Sequence, residues 1–251
     1  MRTLKLTLCY DGGAFSGWQI QPRQRTVQET FEEALKKVTG QQVRVIASGR
    51  TDTGVHALGQ IISFSLESPL TPDVLLRALN AELPDDIVVL DVAEVPEGFH
   101  AMHDVTRKLY RYVIHDSRVP EVFQRRYVWQ IRTRLDADAM HSAAQGLVGT
   151  HDFCSFESKG APRQNSVRTI FQMNVVRGKS DQSSLVTIEV EGDGFLYNMV
   201  RAIVGTLVEV GRGAKPENWP ADVLQAKDRA QAGQTAPPHG LFLVRVDYQN
   251  P

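Results

Sequence analysis

Residues 43–66 read VRVIASGRTDTGVHALGQIISFSL. The two ends of this stretch, about 43–48 and 59–66, carry the β-branched and apolar residues of strands, and no helical pattern separates them. Between them, Gly49 to Ala57 exceeds the roughly two to five residues of a plain hairpin. It is small and polar, a loop able to present side chains. Towards the N-terminus, Leu4, Leu6, Leu8 and Tyr10 alternate with polar partners and mark a first strand that ends at Asp11-Gly12-Gly13. A helix is predicted over 27–39. Val27, Phe31, Leu35 and Val38 share one face, Glu29, Glu32 and Glu33 lie towards its N-terminal end, Lys36 and Lys37 near its C-terminal end, and Gly40 stops it. Towards the C-terminus, Thr71 as N-cap and Pro72 at the first position open a second helix, and 87–95 is another strand. The order is β-α-β-β-α-β, the split βαβ arrangement of ferredoxin-like folds.

The second half repeats this order. Strands are predicted near 106–115 and 125–131, then a helix over 136–148 capped by Asp136, then long strands at 167–177 and 184–192. Met199, Val200, Ile203, Val204, Leu207 and Val208 form an apolar helix face ending at Gly211; a short helix follows Pro220, and the last strand is 241–248. The chain thus reads as α+β, with halves 1–104 and 105–251 joined through the acidic stretch 91–104. A cleft between two such sheets is a natural place for a substrate.

At 251 residues, with 42% apolar and 23% charged side chains, the chain can bury a full core without a metal or disulfide. No apolar run approaches the ~18 residues of a membrane span, and the N-terminus runs straight into a strand pattern without a signal-peptide signature. The expectation is a cytoplasmic protein. Cys9 and Cys154 stand in apolar contexts outside any Cys-x-x-Cys pair and are expected as core thiols; no zinc site is implied. The net charge of -1 argues weakly against nucleic acid, but charge is partitioned: 66–104 carries one basic and nine acidic residues, 105–180 thirteen basic and six acidic.

Arg50 and Asp52 are two apart in the unusual loop. In an extended backbone they project to one face, where a guanidinium could orient a carboxylate. The physics of the pair alone favours a structural ion pair tying the loop. His56 invites an acid-base role, but a loop-ordering hydrogen bond is the better reading. Tyr110 and Tyr112 share a strand face and suit core aromatics. Gly192-Asp193-Gly194 and Gly211-Arg212-Gly213 lack the spacing of a phosphate-binding fingerprint and read as turns.

Gly49-Arg50-Thr51-Asp52-x-Gly54-Val55-His56-Ala57 resembles the active-site motif of the TruA family of tRNA pseudouridine synthases. Tyr10-Asp11-Gly12, Gly17-Trp18-Gln19 and Thr26-Val27-Gln28-Glu29 are similar to its N-terminal motifs, and Asn80-x-x-Leu83-Pro84-x-Asp86-Ile87 and Phe99-His100-Ala101 to its middle ones. Lys108-x-Tyr110-Arg111-Tyr112, Phe195-Leu196-Tyr197-x-Met199-Val200-Arg201-x-Ile203-Val204-Gly205 and Ala236-Pro237-x-His239-Gly240-Leu241-x-Leu243 complete the series. The sequence departs from the family pattern at Thr53, Met102, Asn198 and Ala202.

The resemblance implies the pseudouridine synthase fold: two ferredoxin-like halves forming a continuous, mostly antiparallel sheet, with helices on one side and a central active-site cleft. It implies isomerisation of uridine to pseudouridine at positions 38, 39 and 40 of the tRNA anticodon stem-loop, by a homodimer that uses no cofactor or metal. Asp52 is then the nucleophile and Arg201 the cation that keeps it charged. Tyr110 stacks on the uracil and removes the C5 proton, and Arg50 either pairs Asp52 or fills the space of the flipped nucleotide. Arg107, Lys108, Arg111, Arg118, Arg125 and Arg126 supply phosphate contacts. A non-catalytic RNA-binding protein of the same fold is the first alternative; a nucleosidase, which would want a second carboxylate, is the other.

Overall fold

A computed structural model describes residues 1–158 and 165–249. Among them the chain forms ten strands and five α-helices, an α+β architecture. Two compact units divide it: Met1–Thr106 with the segment from Phe242 on, and Arg107–Leu241.

The first unit contains β1 (Arg2–Tyr10), α1 (Val27–Thr39), β2 (Ile46–Ala47), β3 (His56–Leu66), α2 (Pro72–Glu82) and β4 (Ile87–Val95), and takes in most of the last strand, β10 (Leu241–Tyr248). Its sheet runs β4-β1-β3-β10, with β2 also on β3. β1 lies antiparallel between β3 and β4, in the register Leu4↔Phe64, Leu6↔Ile62 and Leu8↔Gln60. The alternation of β1 therefore buries Leu4, Leu6, Leu8 and Tyr10 on one face with Phe64 and Ile62. Phe31 of α1 sets its ring 6.4 Å from that of Phe64, so the apolar stripe of α1 covers this face. The helix has the predicted bounds: Thr26 Oγ1 accepts from the Glu29 amide, and Gly40, at φ 73°, closes the other end with its N–H on the Lys36 carbonyl. Asn80 of α2 exchanges two hydrogen bonds with the Val89 backbone, where β4 bulges against β1. That explains an amide at a helix position facing a strand.

Three expectations change here. The strand predicted at 43–48 shrinks to Ile46–Ala47, because side chains of α1 satisfy the backbone before it: Val45 donates to Glu32 Oε1 at 3.0 Å and its carbonyl accepts from Gln28 Nε2. β3 begins at His56 rather than 59, because His56 and Ala57 pair in parallel with Phe242 and Leu243. Thr71 stands at the N-cap, but its side chain makes no capping hydrogen bond.

The second unit contains most of β5 (Val105–Asp116), with β6 (Trp129–Ile131), α3 (Ala137–Gln145), β7 (Gly149–Asp152), β8 (Val167–Arg177), β9 (Leu185–Gly192), α4 (Met199–Gly211) and α5 (Trp219–Ala226). Its sheet order is β5-β9-β8-β7, antiparallel throughout, with β6 parallel to β5. Asp136 caps α3 by accepting from the Asp138 and Ala139 amides. Gly211 lies inside α4: a Cβ there would fall 2.5 Å from Met140 Sδ, so the glycine sets how closely α4 approaches α3. The predicted strand 125–131 shortens to three residues, since Glu121 accepts from the Phe123 and Gln124 amides and holds the preceding segment as a loop. β7 has no counterpart in the sequence reading.

The compact units divide at 106/107 and 241/242. Phe242 onward joins the first unit through the pairing with β3, through Tyr248 Oη donating to the Ala101 carbonyl at 2.7 Å, and through Thr106 Oγ1 donating to the Asp247 carbonyl. Cys9 and Cys154 are half-buried rather than core residues; burial pushes both thiols up, and the neighbouring Asp152 adds to this at Cys154. Among the described residues no helix is long and apolar enough to cross a membrane.

Candidate active site

In the first unit the segment Ser48 to Ala57 is built as a platform for one carboxylate. Asp52 opens a four-residue turn: its carbonyl accepts from the Val55 amide at 3.1 Å, and Gly54 sits at φ 77°. A left-handed residue at the third position is what such a turn requires, which accounts for the glycine two residues after the aspartate. Thr51 is buried, whereas Asp52 is half-buried and Arg50 exposed. The Thr51 side chain turns inward to Tyr10 Oη at 2.8 Å, and its carbonyl accepts from the Trp18 amide at 3.0 Å.

The turn at 11–18 closes over this segment. A Cβ on Gly12 would fall 1.9 Å from the Val55 carbonyl oxygen, and one on Gly17, at φ 87°, 2.8 Å from that of Thr51. The Tyr-Asp-Gly and Gly-Trp-Gln motifs are therefore the backbone that encloses the Asp52 loop. His56 is buried; its Nδ1 lies 3.1 Å from the Gly12 amide and 3.0 Å from Asp11 Oδ1, and its ring stacks on Phe242 at 4.9 Å. It orders the loop, as the sequence reading favoured. The Arg50–Asp52 ion pair that this reading also favoured is not formed: Arg50 makes no ion pair among the described residues. Phe99-His100-Ala101 is pinned by Ala101 N–H donating to Ser63 Oγ at 3.0 Å, while Met102, the departing position, faces solvent.

In the second unit Tyr110 lies on β5 opposite Val190 and makes a T-shaped contact with Phe195, 5.1 Å between ring centres. Tyr112 is fully enclosed, donates to the Pro237 carbonyl at 2.8 Å and leaves no room for a side chain on Gly240, where a Cβ would fall 2.7 Å from its ring. Burial pushes its phenol well above the usual range. Both tyrosines are buried, Tyr112 completely and Tyr110 at 9% exposure.

Arg201 is half-buried on α4. Its Nε donates to the Ala236 carbonyl at 2.7 Å, one terminal nitrogen donates to Asn198 Oδ1 at 2.7 Å, and its own carbonyl accepts from the Ala236 amide. Gly205, one turn on, lets the segment approach: a Cβ there would fall 1.7 Å from the Gln234 carbonyl oxygen. The glycine of one motif thus admits the alanine of another to the arginine. Asn198 sits at φ 60°, a conformation asparagine tolerates, and through Arg201 this departing residue acquires a task.

Lys108, two residues before Tyr110, is desolvated and lies near Arg168; its pKa is pulled down to about 8, chiefly by burial. Arg107 and Arg111 are neutralised across β9, by Glu191 and Glu189 at 2.7 Å each. Further arginines lie beyond them on the surface. Arg118, Arg125 and Arg126 are exposed on the 117–127 loop beside Phe123, which is 90% exposed. Arg118, Arg132 and Arg134 line an open depression of about 530 Å³. At its floor Asp116, wholly buried, is gripped by Arg177 at 2.7 Å and by the Leu135 amide. Sequence reading did not single out Arg132 or Arg134, and it marked Asn198 only as a departure from the family pattern. It also passed over Gln60, whose signal was available: an amide in the inward row of a strand that continues Ile62, Phe64 and Leu66.

A family model described as tRNA pseudouridine synthase matches residues 8–104 and 143–249. The protein named tRNA pseudouridine synthase A of Moorella thermoacetica is 47% identical over 251 residues, covering 99% of this chain and all of that one. Its namesake from Brevibacillus brevis is 47% identical over 248 residues, and that from Thermoanaerobacter sp. 42% over 248, each with 99% of this chain and 100% of the relative covered. Similarity at this level along both units means that the chain belongs to the tRNA pseudouridine synthase family.

Proposed function

We propose that the protein isomerises uridine to pseudouridine at positions 38, 39 and 40 of the tRNA anticodon stem-loop, with Asp52 as the nucleophile. Members of this family are cofactor-independent isomerases, and this chain is one. The reaction breaks the bond from N1 of uracil to C1′ of ribose, turns the base and joins C5 to C1′; C5 loses a proton and N1 gains one, so substrate and product have the same atoms. A carboxylate adding to C6 of the base, or to C1′, holds the two pieces during the turn. Either attack needs the ionised form.

The observation that carries this reading is the Asp52 loop. A side chain at the corner of a turn, on a backbone fixed by Tyr10, Trp18 and Val55, has the preorganisation a nucleophile needs. Arg201 is assigned the role of holding the carboxylate charged. Its guanidinium is already oriented by Ala236 and Asn198, so it loses little freedom when it acts. Tyr110 is assigned stacking on the target uracil and removal of the C5 proton. Arg50, exposed beside Asp52, is assigned the space vacated when the nucleotide flips out, a step costing a few kcal/mol and cheapest near a loop.

Arg118, Arg125, Arg126, Arg132 and Arg134 are assigned to phosphates, as A-form RNA is read largely through its backbone. We further propose a cytoplasmic homodimer that shares one tRNA. Mapping pseudouridine after incubation with unmodified tRNA tests the reading: modification at 38–40 is expected. Unmodified tRNA, modification elsewhere, or free uracil as product would contradict it.

A further inference from the structure

Behind the Asp52 loop, Tyr10 belongs to a buried polar cluster that extends to Gln60 and Ser48. Gln60 of β3 is completely enclosed. Its Nε2 donates to the Gly49 carbonyl at 2.8 Å and lies 3.4 Å from Tyr10 Oη, while its Oε1 accepts from Ser48 Oγ at 2.5 Å. Tyr10, also buried, meets Thr51 Oγ1 at 2.8 Å, and burial pushes its phenol up to about 12, so it is neutral at any working pH. One amide and one phenol therefore fix residues 48, 49 and 51, three of the four that directly precede Asp52.

The sheet itself has no use for this amide. Gln60 stands opposite Leu8 and precedes Ile62 and Phe64 on the same face, a row where an apolar side chain of equal length fits. Such a residue would pack the strand but leave the Gly49 carbonyl and Ser48 hydroxyl without these bonds, and the loop free to shift. Satisfied buried networks gain little net stability over apolar packing; what they fix is one geometry out of several.

We propose that Gln60, acting with Tyr10, is a positioning residue that sets the Asp52 carboxylate for attack. The inference rests on Asp52 being the nucleophile. It concerns geometry within one unit, and its effect falls on the chemical step rather than on RNA binding, since neither side chain reaches the surface.

The test is steady-state and single-turnover kinetics on tRNA for Gln60→Met and Tyr10→Phe, with thermal unfolding and tRNA affinity measured alongside and Asp52→Asn as control. Displacing a reacting group by about 1 Å costs up to a hundredfold in rate. Gln60→Met is expected to lower kcat about tenfold to a hundredfold with KM and tRNA affinity unchanged, and Tyr10→Phe to lower it less. The double variant should lose less than the product of the two, because both act through the same loop. Wild-type kcat in Gln60→Met, or loss of kcat only in step with folded fraction and affinity, would overturn the proposal. Should Gln60→Met fail to fold, Tyr10→Phe, which deletes one oxygen, decides by the same split. An inactive Asp52→Asn beside a fully active Gln60→Met refutes the positioning role alone; an active Asp52→Asn refutes the reading beneath it.

Discussion

Tyr110 and Tyr112 point to the same face of β5, and their surroundings divide the work between them. Tyr112 is locked by the Pro237 carbonyl and by Gly240; Tyr110 makes a T-shaped contact with Phe195. Tyr112→Phe should keep turnover and lose about 1 kcal/mol of stability from one hydrogen bond, read by denaturant unfolding. Tyr110→Phe should fold normally and stall after base reattachment, read as tRNA in which the new bond forms without tritium release from C5. The shared face was legible from spacing. Which of these two buried tyrosines is wholly enclosed was not, because the deciding groups, at 237 and 240, lie more than a hundred residues away. Arg201 shows the same limit. Sequence marks it through a motif, but only the fold shows that Ala236 and Asn198 aim it. Arg201→Ala should abolish turnover and cost roughly 1.5 to 3 kcal/mol, the range for hydrogen bonds to a charged group.

Among elements, those with a full amphipathic period or a continuous β pattern were legible: α1, β4 and β8 have the bounds their sequence predicts. Two of the misjudged elements have ends set by partners elsewhere in the chain. β2 yields its backbone to Glu32, and β3 gains residues from β10. The α4 helix carries the sharpest requirement. A methyl group at 205 would fall inside the van der Waals radius of the Gln234 carbonyl, which belongs to another element and cannot turn away as a side chain could. Gly205→Ala should therefore destabilise by about 1 to 3 kcal/mol despite its better helix propensity. It should also reduce turnover, because the 234–236 segment that holds Arg201 is displaced; circular dichroism melts and single-turnover rates check the two effects separately.

For the whole molecule, the partition of charge along the sequence was legible but its meaning was only half so. The excess of basic residues in 105–180 includes Arg107 and Arg111, which glutamates on β9 neutralise, and Arg177, which serves the buried Asp116. The set proposed above for phosphate is the smaller one on and after the 117–127 loop, and its Arg134 also lies 3.3 Å from Asp116. Lys108 gives the fold a pH signature. Its pKa in the folded chain, about 8, is below the ~10.4 of an exposed lysine. The unfolded state thus binds more protons between these values, and stability from this residue rises as pH rises through them. Lys108→Met should raise the unfolding temperature most at pH 7, with the gain fading towards pH 10.5. In the proposed reaction one carboxylate, Asp52, carries the isomerisation. Its most direct test is tritium release from tRNA labelled at uridine C5, by wild-type protein and by Asp52→Asn at saturating enzyme. The account predicts full release by the first and none by the second, with tRNA still bound; release by Asp52→Asn at a wild-type rate would contradict it.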